Sequence, residues 1–222
     1  MGVITISREF GSVSDDFGAQ VARGLDYHFV DKEFVVALLS QYGMIGFDVE
    51  YETRPGFWQS LVGDQARRRS EMVSMLNAVV QAVAHHGNVV IQGRSGFASL
   101  AGFADVLHVR LQAPLPTRIE NIRTLRGLSQ EEAAAVVTKG DEVRTAFVED
   151  FYGVAWNAMN AFDLIINTAK VASDEALTTV VDVARTFAAD LEPREPSVAS
   201  IVVDSVLDEA VSRQLDCTLL HR

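Results

Sequence analysis

The sequence contains one cysteine and no long apolar run. With Cys217 as its single thiol, the chain cannot form an internal disulfide, and a spare thiol fits a reducing compartment better than an oxidising one. A membrane-spanning helix needs about 18 or more consecutive apolar residues, and no segment reaches that length. Residues 1–8 also lack the basic region, long apolar region and small-residue cleavage site of a signal peptide. These absences predict a cytoplasmic protein without a membrane partner.

Positive charge is in deficit as well. The 30 acidic residues outnumber the 19 lysines and arginines, so the formal net charge is −11. Because nucleic acid backbones repel an acidic surface, binding to DNA or RNA is not expected. Arg67, Arg68 and Arg69 form a local basic cluster. Two interpretations of it stay open, a solvated helix face or a surface for phosphates or acidic partners.

Short apolar runs alternate with helical patterns along most of the chain. The runs predict strands at residues 3–6, 88–92, 106–111 and 163–167. Helices are predicted between them, one with Ser14 as its N-cap, others over residues 32–42 and 71–84, and a further one at the capping box of Ser129 and Glu132. This alternation predicts an α/β fold with a mostly parallel sheet flanked by helices.

Pro193 and Pro196 separate a tail from the α/β domain. We therefore expect residues 1–192 to form the domain, and residues 193–222 to form a linker and a helical tail. Apolar residues at helical spacing from Val203 to Val211 predict that helix. It could pack on the domain, on a partner chain as in a homo-oligomer, or belong to a further module.

Residues 4–18 have the strand, loop and helix of a phosphate cradle but not its usual chemistry. The loop has no lysine, and β-branched Val13 stands where a phosphate loop needs glycine. One arginine against three carboxylates leaves the segment a formal charge of −2. A carboxylate 4 Å from a phosphate charge costs roughly 4 kcal/mol at an effective dielectric near 20, and about 1 kcal/mol in water. From these residues alone, a phosphate site and an ordinary capped turn both stay open.

Other chemistry is weakly indicated. His85 and His86 lie at a helix end without a spaced third ligand, so we expect no metal site there and a favourable interaction with the helix dipole instead. No Gly-x-Ser-x-Gly motif is present, and a hydrolase triad is not indicated.

Several segments, in their order and spacing, carry a family resemblance. They are the opening Ile-Thr-Ile-Ser-Arg-Glu-Phe-Gly-Ser at 4–12, the segment 25–33, the strand and Gly-Arg turn at 89–96, the strand and helix start at 105–118, the group Asp141 to Arg144 with 151–153 and Trp156, and the strand at 162–168. Together they resemble the cytidylate kinase-like family from residue 3 to about residue 190.

The resemblance implies a nucleoside monophosphate kinase-like P-loop fold. A small helical lobe for the monophosphate would lie at about 35–87 and a lid at about 116–150. The implied activity is a phosphotransferase that moves the γ-phosphoryl of ATP, with Mg²⁺, to a nucleoside monophosphate or similar small acceptor. The alternative is a catalytically silent homologue that binds nucleotide weakly or not at all and acts as a regulatory or interaction subunit.

The resemblance also implies site residues. The turn Gly11-Ser12-Val13-Ser14 would line the triphosphate loop. Asp31 and Arg94 would face the acceptor, Arg94, Arg118 and Arg144 would be catalytic, and Arg123 and Asp141 would bind substrate. Each has a plainer alternative: Asp31 as a helix N-cap, Arg94 in a sheet-edge ion pair, Arg118 and Arg123 as solvated helix residues, and Asp141 with Arg144 as a helix-surface pair.

The sequence departs from the family pattern at the proposed site. The phosphate loop of the family usually has glycines where Val13 and Ser14 stand, and a basic or polar residue where Asp15 stands. In cytidylate kinases the Gly-Arg turn continues with an aspartate, and Ser95 replaces it here. These departures concern triphosphate affinity, turnover and cytosine preference, and they leave the predicted fold unchanged.

Overall fold

The computed structural model describes residues 2–44, 64–189 and 195–219 of the chain. In this part of the chain five strands form one sheet in the order β2-β3-β1-β4-β5, and every neighbouring pair is parallel. The predicted α/β architecture is therefore confirmed. The strands are β1 (Val3–Arg8), β2 (His28–Val30), β3 (Val89–Gln92), β4 (Val106–Gln112) and β5 (Leu164–Asn167).

Helices cover both faces of the sheet because successive β1 side chains point to opposite faces. Val3 packs in the core with α2, α3, α6 and α8, whereas Ile4 and Ile6 pack in a second core with α1 and α7. The described helices are α1 (Phe17–Leu25), α2 (Lys32–Gln41), α3 (Asp64–His86), α4 (Gly96–Ser99), α5 (Leu115–Arg126), α6 (Gln130–Tyr152), α7 (Ser173–Ala189) and α8 (Ser205–Leu219).

Helices α5 and α6 pack against each other within the region predicted as a lid. Ile119 and Ile122 from α5 meet Ala133 and Val137 from α6 in a small third core, to which Phe10 is added from the loop after β1. The capping box at the start of α6 is confirmed, since the Glu132 backbone N–H donates to Ser129 Oγ (3.2 Å) and the Ser129 backbone N–H donates to Glu132 Oε2 (2.9 Å).

Two local predictions were wrong. Strand β2 was missed because three residues are too few to show a strand pattern. Ser14 is not the N-cap of α1, since the helix begins at Phe17 and Asp16 holds the cap position without a capping side-chain hydrogen bond. Residues 45–63 of the predicted monophosphate lobe and residues 190–194 of the linker lie outside the described residues.

Arg67, the first residue of the basic cluster, pairs with a carboxylate on its own helix. Its Nε lies 2.9 Å from Glu71 Oε1, and both side chains are exposed.

The tail helix α8 packs on the domain, which is one of the arrangements that the sequence left open. Its apolar face, formed by Leu207, Ala210, Val211 and Leu215, is buried in the core that includes α2 and α3. The two histidines at the end of α3 contact the tail: His85 Nδ1 lies 3.2 Å from the Val198 carbonyl oxygen, and His86 Nε2 lies 3.1 Å from Asp208 Oδ1. None of the helices in the described ranges is both long and apolar enough to cross a bilayer.

His108 in β4 is a buried titratable group in the sheet. Its Nδ1 lies 2.7 Å from Thr5 Oγ1, and its backbone N–H donates to Asp163 Oδ2 at 2.7 Å. Burial lowers the pKa of His108 below its usual 6.5, and the Asp163 carboxylate offsets part of that effect.

The lowered pKa of His108 predicts a pH dependence of stability. Below pH 6.5 the unfolded chain takes up a proton that the folded chain resists. The contribution of neutral His108 to the free energy of unfolding is therefore complete above that pH. It is lost as the pH falls through the pKa that His108 has in the folded protein. Between about pH 7.5 and 5.5, we expect the free energy of urea unfolding to fall more in the wild type than in His108→Asn. Equal losses in the two proteins would contradict this assignment.

Candidate active site

A cleft of about 400 Å³ lies where β1, β2 and β3 reach their carboxyl ends. Ligands of open parallel sheets bind at this edge, where loops and helix starts converge. The strand ends and the helices α5 and α6 each supply part of its lining. Arg8 ends β1, and Phe10 and Asp15 follow it; Asp31, Lys32 and Glu33 follow β2; Gln92 ends β3, and Gly93 and Arg94 follow it. Arg126 comes from α5, Arg144 from α6 and Trp156 from the segment after α6.

The charge of the cleft is opposite to that of the chain. Five cationic side chains and three carboxylates line it, a formal excess of two positive charges in a protein whose net charge is −11. The cations come from separate elements: Arg8 ends β1, Lys32 and Arg94 come next to the ends of β2 and β3, and Arg126 and Arg144 lie on α5 and α6. A concave site with an excess of positive charge has an electrostatic potential that favours anions.

Asp31 and Arg94 both line the cleft. The Asp31 side chain accepts a hydrogen bond from the Phe34 backbone N–H (3.0 Å), so it is the N-cap of α2 and a cleft residue at the same time. Arg94 is 4% exposed, and its guanidinium carbon lies 5.9 Å from the centre of the Phe147 ring. The structure thus brings these two predicted residues together.

The turn Gly11-Ser12-Val13-Ser14 does not line the cleft. Gly11 has a φ of +81°, and a Cβ there would lie 2.9 Å from the Arg118 carbonyl oxygen, so glycine lets the turn approach α5. Ser12 is buried, with its hydroxyl donating to the Glu9 carbonyl oxygen at 2.9 Å. Val13 packs on the α1 and α7 core, and Ser14 is exposed.

Side chains of the protein itself occupy the start of α1. The Gly18 backbone N–H donates to Gln92 Oε1 at 2.9 Å, and Gln92 Nε2 donates to the Asp15 carbonyl oxygen at 2.9 Å. The Asp15 carboxylate forms an ion pair with Arg8. One amide that a phosphate loop would offer to an anion is therefore already bound, and Arg8 already faces a carboxylate.

Arg118 and Asp141 form a largely buried ion pair outside the cleft lining. Arg118 Nη1 lies 2.6 Å from Asp141 Oδ2, and Arg118 Nε lies 3.3 Å from Glu9 Oε2. Arg118 Nε also donates to the Ala113 carbonyl oxygen at 2.9 Å. The pair therefore joins α5 and α6 to the end of β1.

Arg123 on α5 and Arg144 on α6 lie in different surroundings. Arg123 is on the exposed surface of α5, where it binds Glu120 through two hydrogen bonds of 2.9 and 2.8 Å. Arg144 lines the cleft, and its Nη1 donates to the Gly140 carbonyl oxygen at 3.0 Å. Its predicted surface partner Asp141 is instead bound to Arg118.

Sequence reasoning did not assign several residues of this cleft, among them Arg8, Phe10, Lys32, Gln92 and Arg126. Arg8 and Lys32 carry the signal of cations next to strand ends, whereas Gln92 is uncharged and carries none.

Arg110 was hidden within an apolar strand and lies next to a cleft residue. Its guanidinium carbon lies 4.0 Å from the centre of the Trp156 ring. Burial lowers the pKa of Arg110 to about 10, while the Glu9 carboxylate counteracts the shift.

The described residues hold no group of three or more His, Cys, Asp or Glu side chains placed to bind a metal ion. The cleft carboxylates Asp15, Asp31 and Glu33 are spread over its lining. This donor set suits an ion such as Mg²⁺ only when phosphate and water oxygens complete its coordination, as is usual for that ion in phosphoryl-transfer sites.

The parallel sheet, with helices on both faces and a cationic cleft at the carboxyl ends of its strands, defines an α/β fold of the nucleotide kinase type. A family model described as "Cytidylate kinase-like family" matches residues 3–170. The chain therefore belongs to the cytidylate kinase-like family, and this supports a kinase-like, nucleotide-related function. The expected resemblance is confirmed.

Individual relatives agree with this assignment. A cytidylate kinase of Ignicoccus hospitalis is 28% identical over 180 residues, which are 81% of this chain and 97% of that protein. A cytidylate kinase of Pyrococcus horikoshii is 37% identical over 91 residues, covering 39% of this chain and 44% of that protein. A crystal structure of an uncharacterized protein from Eubacterium ventriosum aligns with a TM-score of 0.61 at 16% identity, over 84% of this chain and 99% of that one. That structure supports the fold.

The ion pair of Arg118 and Asp141 predicts a large difference between two carboxylate substitutions. Asp141→Ala removes the nearer of the two carboxylates that pair with the buried guanidinium of Arg118. We expect a loss of about 2 kcal/mol in the free energy of unfolding, less than for a fully buried pair because Asp141 is 26% exposed. Glu120→Ala, which removes the partner of exposed Arg123, is the matched control and should cost far less, because water screens an exposed ion pair. Equal losses in guanidinium chloride unfolding would contradict the anchoring role.

Proposed function

We propose that this protein is a phosphotransferase of the nucleoside monophosphate kinase type. It would move the γ-phosphoryl of ATP to a nucleoside monophosphate or a similar small acceptor. The observation that carries the proposal is the cleft itself, where Arg94 from the sheet and Arg144 from the lid line one hollow. Membership of the cytidylate kinase-like family supports the same reaction class.

Phosphoryl transfer requires positioning and charge neutralisation more than covalent chemistry from the protein. ATP with Mg²⁺ would supply the phosphoryl group. Arg8, Arg126 and Arg144 would neutralise phosphate oxygens, while Asp31 and Arg94 would orient the acceptor next to β2 and β3. Residues 35–87 would form the acceptor lobe and residues 116–150 the lid, whose closure would exclude water.

The phosphate subsite would depend on side-chain cations rather than on the turn. The turn Gly11-Ser12-Val13-Ser14 would then act as the wall on which α5 rests, since the backbone of Gly11 meets that helix closely. Arg118 and Asp141 would fix the lid at this wall. Arg123, paired with Glu120 on the surface, would reach the substrate only after a change of rotamer.

A kinase assay tests the proposal. With ATP and Mg²⁺, we expect at least one acceptor in a panel of nucleoside monophosphates to raise ADP formation above the rate without acceptor. Arg144→Gln and Arg94→Gln should lower kcat/KM about 100-fold, because each removes charge that stabilises the transferring group. Arg213→Gln on the exposed face of α8 is the matched control and should retain full activity. A panel in which no acceptor raises ADP formation would refute the proposal.

A silent homologue is the second candidate function, and one observation favours it. Side chains of the protein occupy the start of α1, where Asp15 pairs with Arg8 and Gln92 accepts from the Gly18 backbone N–H. A protein that had lost ATP binding could keep these contacts and act as a regulatory or interaction subunit.

Ligand-induced stabilisation separates the two candidates. ATP with Mg²⁺ at 100 times its Kd should add about 2.7 kcal/mol to the stability of a nucleotide-binding protein, visible as a higher Tm. Asp15→Asn should raise ATP affinity about fivefold, because Asp15 is largely exposed and its repulsion of a phosphate is near the aqueous value of about 1 kcal/mol. Asp16→Asn, next in sequence but outside the cleft lining, is the control. No shift in any of these proteins would favour the silent homologue.

A further inference from the structure

We propose that Phe10 is a positioning residue, which holds the lid arginines Arg126 and Arg144 over the cleft for the phosphate groups of a ligand. The inference rests on the proposed function, because it assumes a phosphate ligand in this cleft. Phe10 lies in the turn after β1 and lines the cleft together with both arginines.

The lid fixes the main chain of Phe10 on both sides. The Phe10 backbone N–H donates to Asp141 Oδ1 at 3.3 Å, and its carbonyl oxygen accepts from Arg118 Nη1 at 3.2 Å. Asp141 and Arg118 are themselves paired at 2.6 Å. Because α5 and α6 each supply one of these partners, any shift of the lid relative to β1 breaks contacts to this residue.

The ring of Phe10 contacts both lid arginines of the cleft. The guanidinium carbon of Arg144 lies 4.8 Å from the ring centre, and that of Arg126 lies 5.3 Å from it. Both distances are within the roughly 6 Å over which a cation is attracted to an aromatic face. In such a contact the guanidinium lies against the aromatic ring without donating its N–H groups to it. The contact therefore orients the planar set of N–H donors that suits phosphate oxygens.

Helix α6 makes room for this ring. A Cβ at Gly140 would lie 2.8 Å from Phe10 Cγ and 3.1 Å from Phe10 Cβ, too close for any other residue. Glycine in a helix interior is unfavourable, so its use here indicates that the close approach of Phe10 to α6 is required. Arg144 then starts from the same turn of the helix, since its Nη1 binds the Gly140 carbonyl oxygen.

Holding the arginines in advance strengthens anion binding for two reasons. A long side chain that is ordered before binding loses less conformational entropy when the ligand arrives. Two guanidinium groups near one point also repel each other, and the negative face of an aromatic ring offsets part of that repulsion. A leucine at position 10 could fill the same space, but it has no aromatic face with which to order the two arginines or to offset their repulsion.

Fluorinated phenylalanines at position 10 test the role of the ring face. Fluorine withdraws electron density and weakens the attraction for cations, while the size of the ring changes little. We expect the Kd for inorganic pyrophosphate and for ATP with Mg²⁺ to rise in steps from one to three fluorines. Phe10→Leu should weaken binding roughly tenfold, since two cation contacts are lost, and Phe10→Tyr should retain near wild-type affinity.

Two controls separate this role from packing. The same fluorinated residues at Phe187 should leave the Kd unchanged. Phe187 is on α7 and packs against the second core, and it does not line the cleft. In a protein that carries Arg126→Gln and Arg144→Gln, the series at position 10 should no longer change the Kd, since the cations that feel the ring are absent.

The outcomes are distinct. A graded series that depends on the two arginines supports the inference. Unchanged affinity in Phe10→Leu, or an equal loss for all fluorinated variants, overturns it and leaves the proposed function intact. Failure of the wild type to bind pyrophosphate or ATP refutes the proposed function, and this inference with it.

Discussion

The arrangement of the site depends on the ion pair between Arg118 and Asp141. A charge removed from water is stabilised only if the whole group finds partners, and Arg118 has partners of two kinds. It meets two carboxylates, Asp141 and Glu9, and the carbonyl oxygens of Ala113 and Phe10. Through these contacts one side chain ties α5 to α6, to the end of β1 and to the segment after β4. The two helices are thereby located relative to the sheet.

This anchoring explains why the turn after β1 is poor as a phosphate cradle. Gly11 uses its left-handed backbone to approach α5, and the hydroxyl and carbonyl oxygen of Ser12 are bound within the protein. A turn whose polar groups are bound within the protein in this way has few of them to offer a ligand. Cationic side chains around the cleft can supply the missing attraction, because each acts from the end of a different element.

The sequence predicted the sheet well because its buried strands are continuous apolar runs between polar boundaries. It missed β2, which has only three residues and takes its place in the sheet by pairing with β3. Asp31 and Arg94 were assigned to the site through the family resemblance, and they lie in one cleft because β2 and β3 end at the same edge of the sheet. The pairing of Arg118 with Asp141 could not be predicted, since the two lie 23 residues apart and meet only when α5 folds back on α6.

Two residues show where sequence patterns stop being informative. Gln92 resembles an ordinary polar strand end, yet its amide group closes the start of α1 through two hydrogen bonds. Phe10 resembles a stray apolar residue in a polar loop, because the residues it packs against come from helices more than a hundred positions later. Both depend on tertiary contacts that leave no local period.

Arg110 places a permanent positive charge next to a residue of the cleft. Its guanidinium carbon lies 4.0 Å from the centre of the ring of Trp156, which lines the cleft. Burial lowers the pKa of Arg110 to about 10, which is still well above neutral pH, so the side chain keeps its charge. Acidification or mild alkalinisation would leave this charge unchanged, in contrast to a histidine at the same place. Substitutions among the residues that line the cleft would therefore leave one positive charge next to Trp156 in place.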